Sequence, residues 1–268
     1  MLNSLSLYVA DALTTYNHSS VWLHKPMPLR NPRVRLYCFP YAGGNASIFN
    51  SWTQISREVE ISAISLPGRW LRQSEDAISC MQTICLELAD AIRDDSDVPY
   101  AFFGHSMGGI LAYLVAQELR THGAMLPDHI FVSGCQAPHT VSKFSSRKRV
   151  DEMHPDELFG YISLLAGTPL ELLADEFMRE RIASAIVPDL IAIDNWCYVE
   201  SKPLPKSITV FAGCRDPVVK ANLAREWRRH TSCDFSFYLL NGDHFFINDE
   251  EVKILQIIKR ILEVENLL

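Results

Sequence analysis

The stretch FFGHSMGGILAYLVAQ, residues 102–117, runs from an apolar segment through a glycine-rich turn into an amphipathic helical pattern. Within it, Gly104-His105-Ser106-Met107-Gly108 fits the pattern G-x-S-x-G between a predicted strand and a predicted helix. In so tight a turn the serine takes a strained backbone conformation, and side chains two residues to either side would collide with neighbouring backbone. A plain glycine-rich turn is the alternative, but the strand and helix favour a nucleophile at Ser106.

The whole chain alternates between short runs rich in β-branched and aromatic residues and helix-length patterns. The run YAFFG is apolar on both faces, as a central strand covered by helices on both sides must be. We therefore predict an α/β fold on a mostly parallel, doubly wound sheet. The predicted strands are 33–39, 60–66, 100–104, 129–134, 207–213 and 234–240, and the predicted helices are 47–58, 79–94, 106–122, 218–230 and 250–265.

One interval, from about 137 to 205, interrupts this alternation with helical patterns and no good strand. It is too long for an ordinary connection, so we predict an inserted helical lid over one end of the sheet. Its apolar helices, including LFGYISLL at 158–165, either cover a bound apolar group or simply pack on the sheet. We expect residues 1–20 to be an N-terminal extension and residues 21–268 to form a single domain that includes the lid.

Composition narrows the class of protein. The 268 residues are 48% hydrophobic and 21% charged, which suits one large globular domain, and the net charge of −7 argues against binding nucleic acid by neutralising phosphates. The seven cysteines are odd in number and none forms the C-x-x-C spacing of a zinc site, so we expect reduced thiols and no metal. Neither a secretory leader nor a run of about 20 apolar residues is recognisable, and we expect a soluble, cytoplasmic protein without a membrane partner.

A serine hydroxyl is a weak nucleophile near neutral pH, so Ser106 needs a base. His244, in LLNGDHFFI at 239–247, follows the last predicted strand. Ligands of doubly wound sheets bind beyond the carboxyl ends of the strands, an edge that this loop shares with the Ser106 turn. We predict His244 as the base, expect His105 to point away from Ser106, and leave His139 and His154 of the inserted region open.

The base needs a carboxylate that orients it, and Asp216 in VFAGCRDPVV at 210–219 follows the preceding strand. Its local sequence also suits a turn or a helix cap. Asp243 is the rival because it adjoins His244, but neighbouring side chains in an extended loop diverge. We predict Asp216, which gives the chain order Ser, Asp, His that is typical of α/β-hydrolases.

Two backbone amides are predicted to bind an oxyanion. Met107 opens the helix after Ser106, so its amide points toward an oxyanion formed there. The second donor is the Ala42 amide in FPYAGGNAS at 39–47, where the glycines suit a backbone that approaches a substrate closely. A phosphate-binding loop is the alternative, but the pattern G-x-x-x-x-G-K-[ST] is absent.

Together these motifs resemble the type II thioesterases, discrete α/β-hydrolases that accompany nonribosomal peptide and polyketide synthases. The resemblance extends from about Trp22 to the C-terminus, with its elements in the family's order. The aromatic-rich IDNWCY at 193–198 departs from the less bulky, more acidic version expected there. The matching stretches are FPYAGGNAS, LPGR (66–69), GHSMGG (104–109), LLAGTPLELL (164–173), the V-P-x-L-x-x-x-D-x-W-x-Y region (187–198), FAGCRDPVV (211–219) and GDHFF (242–246).

The resemblance implies hydrolysis of acyl groups stranded on the phosphopantetheine arm of acyl or peptidyl carrier proteins. It places the nucleophile on Ser106, the acid on Asp216, the base on His244 and the oxyanion amides on Ala42 and Met107, and it makes the inserted region a mobile lid. No cofactor is implied beyond the phosphopantetheine of the partner.

The sequence leaves three points undecided: the role of one basic run and two alternative functions. The basic run KFSSRKR at 143–149 either meets an acidic carrier protein or is a solvated loop. A general carboxylesterase or an acyltransferase would use the same triad. A noncatalytic binding protein on this fold is the third alternative, which the three filled triad positions disfavour.

Overall fold

A central sheet organises the residues that the computed structural model describes, which are 21–141, 148–164 and 175–268. It has seven strands there, in the order β1-β3-β2-β4-β5-β6-β7, and every neighbouring pair is parallel except β1 with β3. The predicted mostly parallel sheet is therefore confirmed. The strands are β1 Leu23–His24, β2 Val34–Phe39, β3 Val59–Ile64, β4 Tyr100–His105, β5 His129–Ser133, β6 Ser207–Gly213 and β7 Phe235–Leu240.

Helices cover both faces of this sheet. Successive side chains of β2 point to opposite faces of the sheet, and both faces are buried. Tyr37 and Phe39 belong to the core beneath helices α1 and α2, whereas Leu36 and Cys38 belong to the core beneath α8. The α-helices are α1 Met81–Asp95, α2 Met107–Thr121, α3 Pro138–Val141, α4 Pro155–Leu164, α5 Glu176–Asn195, α6 Ala221–Arg225, α7 Phe246–Asp249 and α8 Glu251–Val264. Shorter 3-10 helices span Ala46–Gln54, Trp70–Arg72, Val150–Glu152 and Glu226–His230.

Three elements differ from the sequence prediction. The helix expected at 47–58 is a 3-10 helix, Ala46–Gln54, which begins where the Asn45 side chain accepts the amide of Ser47. The helix expected at 218–230 is divided into α6 and the 3-10 helix Glu226–His230. Strand β1 was not predicted, because two residues carry no periodicity and pair only through the tertiary contact with β3.

Helices make up most of the described part of the inserted region. Helices α3, α4 and α5 lie between β5 and β6, and a small core of the insertion contains Val150, Ile162, Ile186 and Leu190. Residues 1–20 and the greater part of the LLAGTPLELL stretch, 165–173, lie outside the described residues. The division into an extension and a single domain therefore stays a prediction.

The turn between β4 and α2 leaves Ser106 alone between strand and helix, with φ 55° and ψ −119°. A Cβ added to Gly104 would lie 2.1 Å from the carbonyl oxygen of Gly108, and one added to Gly108 would lie 2.1 Å from that of Phe39. Both approaches are to backbone, which cannot move aside as a flexible side chain would. The predicted collisions are therefore present, and only glycine fits either position.

We expect Gly108→Ala to destabilise the protein by about 3 kcal/mol or more, at the upper end of overpacking effects. Gly160→Ala is the matched control, because Gly160 lies inside α4 and nothing lies within 4 Å of an added Cβ. Alanine there should stabilise the helix by up to about 1 kcal/mol. Denaturant unfolding of both variants tests this; equal stabilities would contradict the close approach at Gly108.

Candidate active site

The three residues predicted as nucleophile, base and acid meet at the carboxyl edge of the sheet. His244 Nε2 lies 3.0 Å from Ser106 Oγ, and His244 Nδ1 lies 2.8 Å from Asp216 Oδ2. The side chains of His244 and Asp216 are 2% and 1% exposed, so water does not compete for their hydrogen bond. Each residue follows a different parallel strand, β4, β6 or β7, whose carboxyl ends share this edge.

The second carboxylate oxygen of Asp216 is also engaged. Oδ1 accepts hydrogen bonds from the amides of Val218 at 2.8 Å and Val219 at 2.9 Å. The turn-forming role considered from the sequence is therefore present together with the contact to His244, and it fixes the direction of the carboxylate. Asp243, the rival acid, is exposed and accepts the amide of Phe245 instead.

His105 has a structural role that the sequence did not reveal. It is fully buried, with Nε2 2.9 Å from the carbonyl oxygen of His244 and Nδ1 2.9 Å from the hydroxyl of Ser133. A carbonyl only accepts, so Nε2 carries the proton and Nδ1 accepts from Ser133. Burial, together with the nearby His244, holds the pKa of His105 well below its ordinary value. A neutral His105 thus anchors the backbone of the loop that carries His244.

The two histidines left open in the inserted region do not join this arrangement. His139 Nδ1 lies 2.8 Å from His230 Nε2, and His154 is exposed beside Asp156. Neither has a hydrogen bond with Ser106, whose hydroxyl pairs with His244. The geometry therefore selects His244 among the candidates for the base.

The residues predicted to supply oxyanion amides, Ala42 and Met107, line the same cavity as Ser106 and His244. Met107 is the first residue of α2, so its N–H lies in the turn whose amides have no carbonyl partner inside the helix. Ala42 lies in the loop after β2, where the amide of Gly44 donates to the carbonyl of Tyr41 at 2.8 Å. Both predicted residues are thus at the cavity beside the serine.

A cavity of about 930 Å³ opens over Ser106. Helices of the insertion contribute apolar side chains to its wall, so these helices cover the site as well as packing among themselves. Trp196, from the aromatic-rich stretch that departs from the expected pattern, also lines it. The apolar lining includes Met81, Ile110, Ile162, Ile182, Ile186 and Ile193.

The described ranges hold no cluster of three or more side chains suited to a metal ion. No helix within these ranges is both long and apolar enough to cross a membrane.

Comparison with known proteins identifies the family. The thioesterase domain family matches residues 34–262. The linear gramicidin dehydrogenase LgrE of Brevibacillus parabrevis is 32% identical over 254 residues, which cover 93% of this chain and 95% of that protein. The name dehydrogenase belongs to that relative; the present chain lacks a G-x-G-x-x-G dinucleotide motif.

Two solved structures agree with the family match. The thioesterase RedJ from the prodiginine pathway of Streptomyces coelicolor has a TM-score of 0.79 and 33% identity, covering 88% of this chain and 89% of that one. The type II thioesterase BorB from the borrelidin biosynthetic cluster has a TM-score of 0.80 and 28% identity, covering 92% and 98%. With a family match over most of its length, the chain belongs to the thioesterase family of α/β-hydrolases.

Proposed function

We propose that the protein is a type II thioesterase that hydrolyses acyl groups from the phosphopantetheine arm of carrier proteins in nonribosomal peptide or polyketide synthesis. One observation carries the chemistry: Asp216, His244 and Ser106 form a continuous hydrogen-bonded chain at a large, partly apolar cavity. Two similar solved structures support the substrate class, since RedJ is a thioesterase of the prodiginine pathway and BorB is a type II thioesterase of the borrelidin cluster.

In the first half-reaction, His244 Nε2 takes the proton of Ser106 as its oxygen attacks the thioester carbonyl carbon. Asp216 accepts the hydrogen bond from His244 Nδ1 and stabilises the imidazolium. The amides of Ala42 and Met107 donate to the oxyanion. The carbon–sulfur bond then breaks, the phosphopantetheine thiol leaves with the proton from His244, and the acyl group remains on Ser106.

In the second half-reaction, water attacks the acyl-serine ester and His244 takes a proton from that water. The same amides hold the second oxyanion. Ser106 leaves and regains its proton from His244, and a free carboxylic acid is released. The protein needs no cofactor of its own for this chemistry, because the acyl group arrives on the phosphopantetheine of the partner.

In its described part, the basic run at 143–149 pairs with acidic side chains of this chain. Lys148 pairs with Glu157 at 2.7 Å, and Arg149 pairs with Asp151 at 3.2 Å. Lys143 and Arg147 lie outside the described residues.

A cytoplasmic location belongs to the proposal too, and it is supported by the scattered cysteines that suit a reducing compartment.

We expect Ser106→Ala to lower turnover of an acyl carrier protein by about 10⁶-fold, as removal of a triad serine does elsewhere. The variant should also lose labelling by a fluorophosphonate probe that labels the wild-type protein. Turnover is measured by mass spectrometry of the carrier protein, with acyl-coenzyme A and a simple ester in parallel assays. A loss under tenfold would refute the nucleophile, and a preference for the simple ester would favour a carboxylesterase.

We expect Asp216→Asn to lower kcat by roughly 10²- to 10⁴-fold, because an amide group can donate to His244 Nδ1 and so favour the wrong tautomer. Asp243→Asn is the matched control, one residue from His244 but exposed. It should change kcat by less than about threefold. Steady-state kinetics on the same acyl carrier protein measures both, and similar losses in the two variants would contradict the assignment of Asp216.

A further inference from the structure

Asp189 is a fully buried carboxylate in the middle of α5, the long helix of the inserted region, and its hydrogen bonds are to Gly43 and Arg69 rather than to the triad. Its Oδ2 accepts the amide of Gly43 at 2.8 Å, and its Oδ1 accepts Nη2 of Arg69 at 2.7 Å. Nη1 of Arg69 also donates to Oδ2. Both oxygens are therefore satisfied, and one of them holds the backbone of the loop after β2.

Arg69 holds that loop from the other side. It lies in the loop after β3, its side chain is 5% exposed, and its Nη1 donates to the carbonyl oxygen of Gly44 at 3.3 Å. The ion pair therefore binds two consecutive residues of the loop: Asp189 accepts the N–H of Gly43, and Arg69 donates to the C=O of Gly44. The helix also touches the loop directly, since an added Cβ at Gly43 would lie 3.0 Å from Cβ of Ile186.

Stability alone does not account for a buried ion pair here. Removing two charges from water costs about as much as their attraction returns, and apolar pairs of similar volume are often equally stable or better. The particular effect of this pair is geometric. An apolar pair would leave the amide of Gly43 without its acceptor, and so would release the peptide between Ala42 and Gly43, which adjoins the peptide that carries the Ala42 N–H.

We propose that Asp189, oriented by Arg69, is a positioning residue for the oxyanion hole: by docking α5 on the loop after β2, it holds the Ala42 amide toward the oxyanion. This inference rests on the proposed function, because it assumes that the Ala42 amide acts on the oxyanion. It makes the position of the inserted helix a determinant of kcat as well as of substrate access.

The decisive comparison uses two double variants that both remove the ion pair. Arg69→Met with Asp189→Leu leaves Gly43 N–H without an acceptor, whereas Arg69→Gln with Asp189→Asn keeps an amide oxygen for it. We expect the apolar pair to lower kcat by about 10²-fold, as loss of one oxyanion donor does, with KM within threefold of wild type. The amide pair should stay within tenfold of the wild-type kcat.

Inhibitor binding separates positioning from general damage to the pocket. An alkyl trifluoromethyl ketone forms a tetrahedral adduct with an oxyanion, whereas an S-alkyl thioether of phosphopantetheine, which has no carbonyl next to the sulfur, occupies the site without reacting. The apolar pair should lower the affinity for the ketone by the same factor as it lowers kcat, and it should leave the affinity for the thioether unchanged. The control, Arg72→Met with Glu75→Gln, breaks a neighbouring ion pair at 2.5 Å whose arginine donates to the carbonyl oxygen of Ser65, and should change the affinity for neither inhibitor.

A folded apolar variant with wild-type kcat would overturn the proposal, and so would an equal loss of affinity for the ketone and the thioether. Circular dichroism and thermal unfolding establish folding. Should the apolar pair not fold, Asp189→Ala alone, which also removes the acceptor of the Gly43 amide, decides by the same two inhibitors, with wild-type ketone affinity again overturning the proposal. Activity remaining in Ser106→Ala would instead refute the proposed function, so the two failures are distinguishable.

Discussion

The close approach of β2, β4 and α2 at the glycine turn is the constraint on which the site depends. Gly108 lies against the carbonyl of Phe39, the last residue of β2, so the loop after β2 starts directly beside the first turn of α2. The same contact fixes the positive φ of Ser106 and brings Ala42 and Met107 to one cavity. A side chain at position 108 would separate Ser106, the proposed nucleophile, from one of its two proposed oxyanion donors.

Parallel strand pairing supplies the rest of the arrangement. Because β4, β6 and β7 run in one direction, the loops carrying Ser106, Asp216 and His244 leave the sheet on the same side. Hydrogen bonds from outside the triad then hold those loops: two backbone amides on Asp216 and the buried His105 on the backbone of His244. Such prior fixation lets the proposed transition-state contacts form without reorganisation of the protein.

The helices of the insertion line the cavity over Ser106, and their side chains contribute in two ways. Apolar side chains such as Ile186 and Ile193 face the cavity, where each methylene of an acyl chain is worth only about 1–3 kcal/mol of discrimination. A buried polar contact is made by Asp189, which joins the insertion to the loop after β2 and to Arg69. An apolar wall of this kind suits a range of acyl groups, while the buried carboxylate holds one backbone geometry.

The sequence by itself determined the parallel sheet, the serine turn and the meeting of Ser106, Asp216 and His244, because each depends on local patterning and on which strand a loop follows. Tertiary structure alone decided β1 and the contacts of His105 with His244 and of Asp189 with Gly43. These last pairs lie 139 and 146 residues apart, and each joins a backbone group to a side chain. Any residue has such a backbone group, so no pattern of residue types marks the partner before the chain has folded.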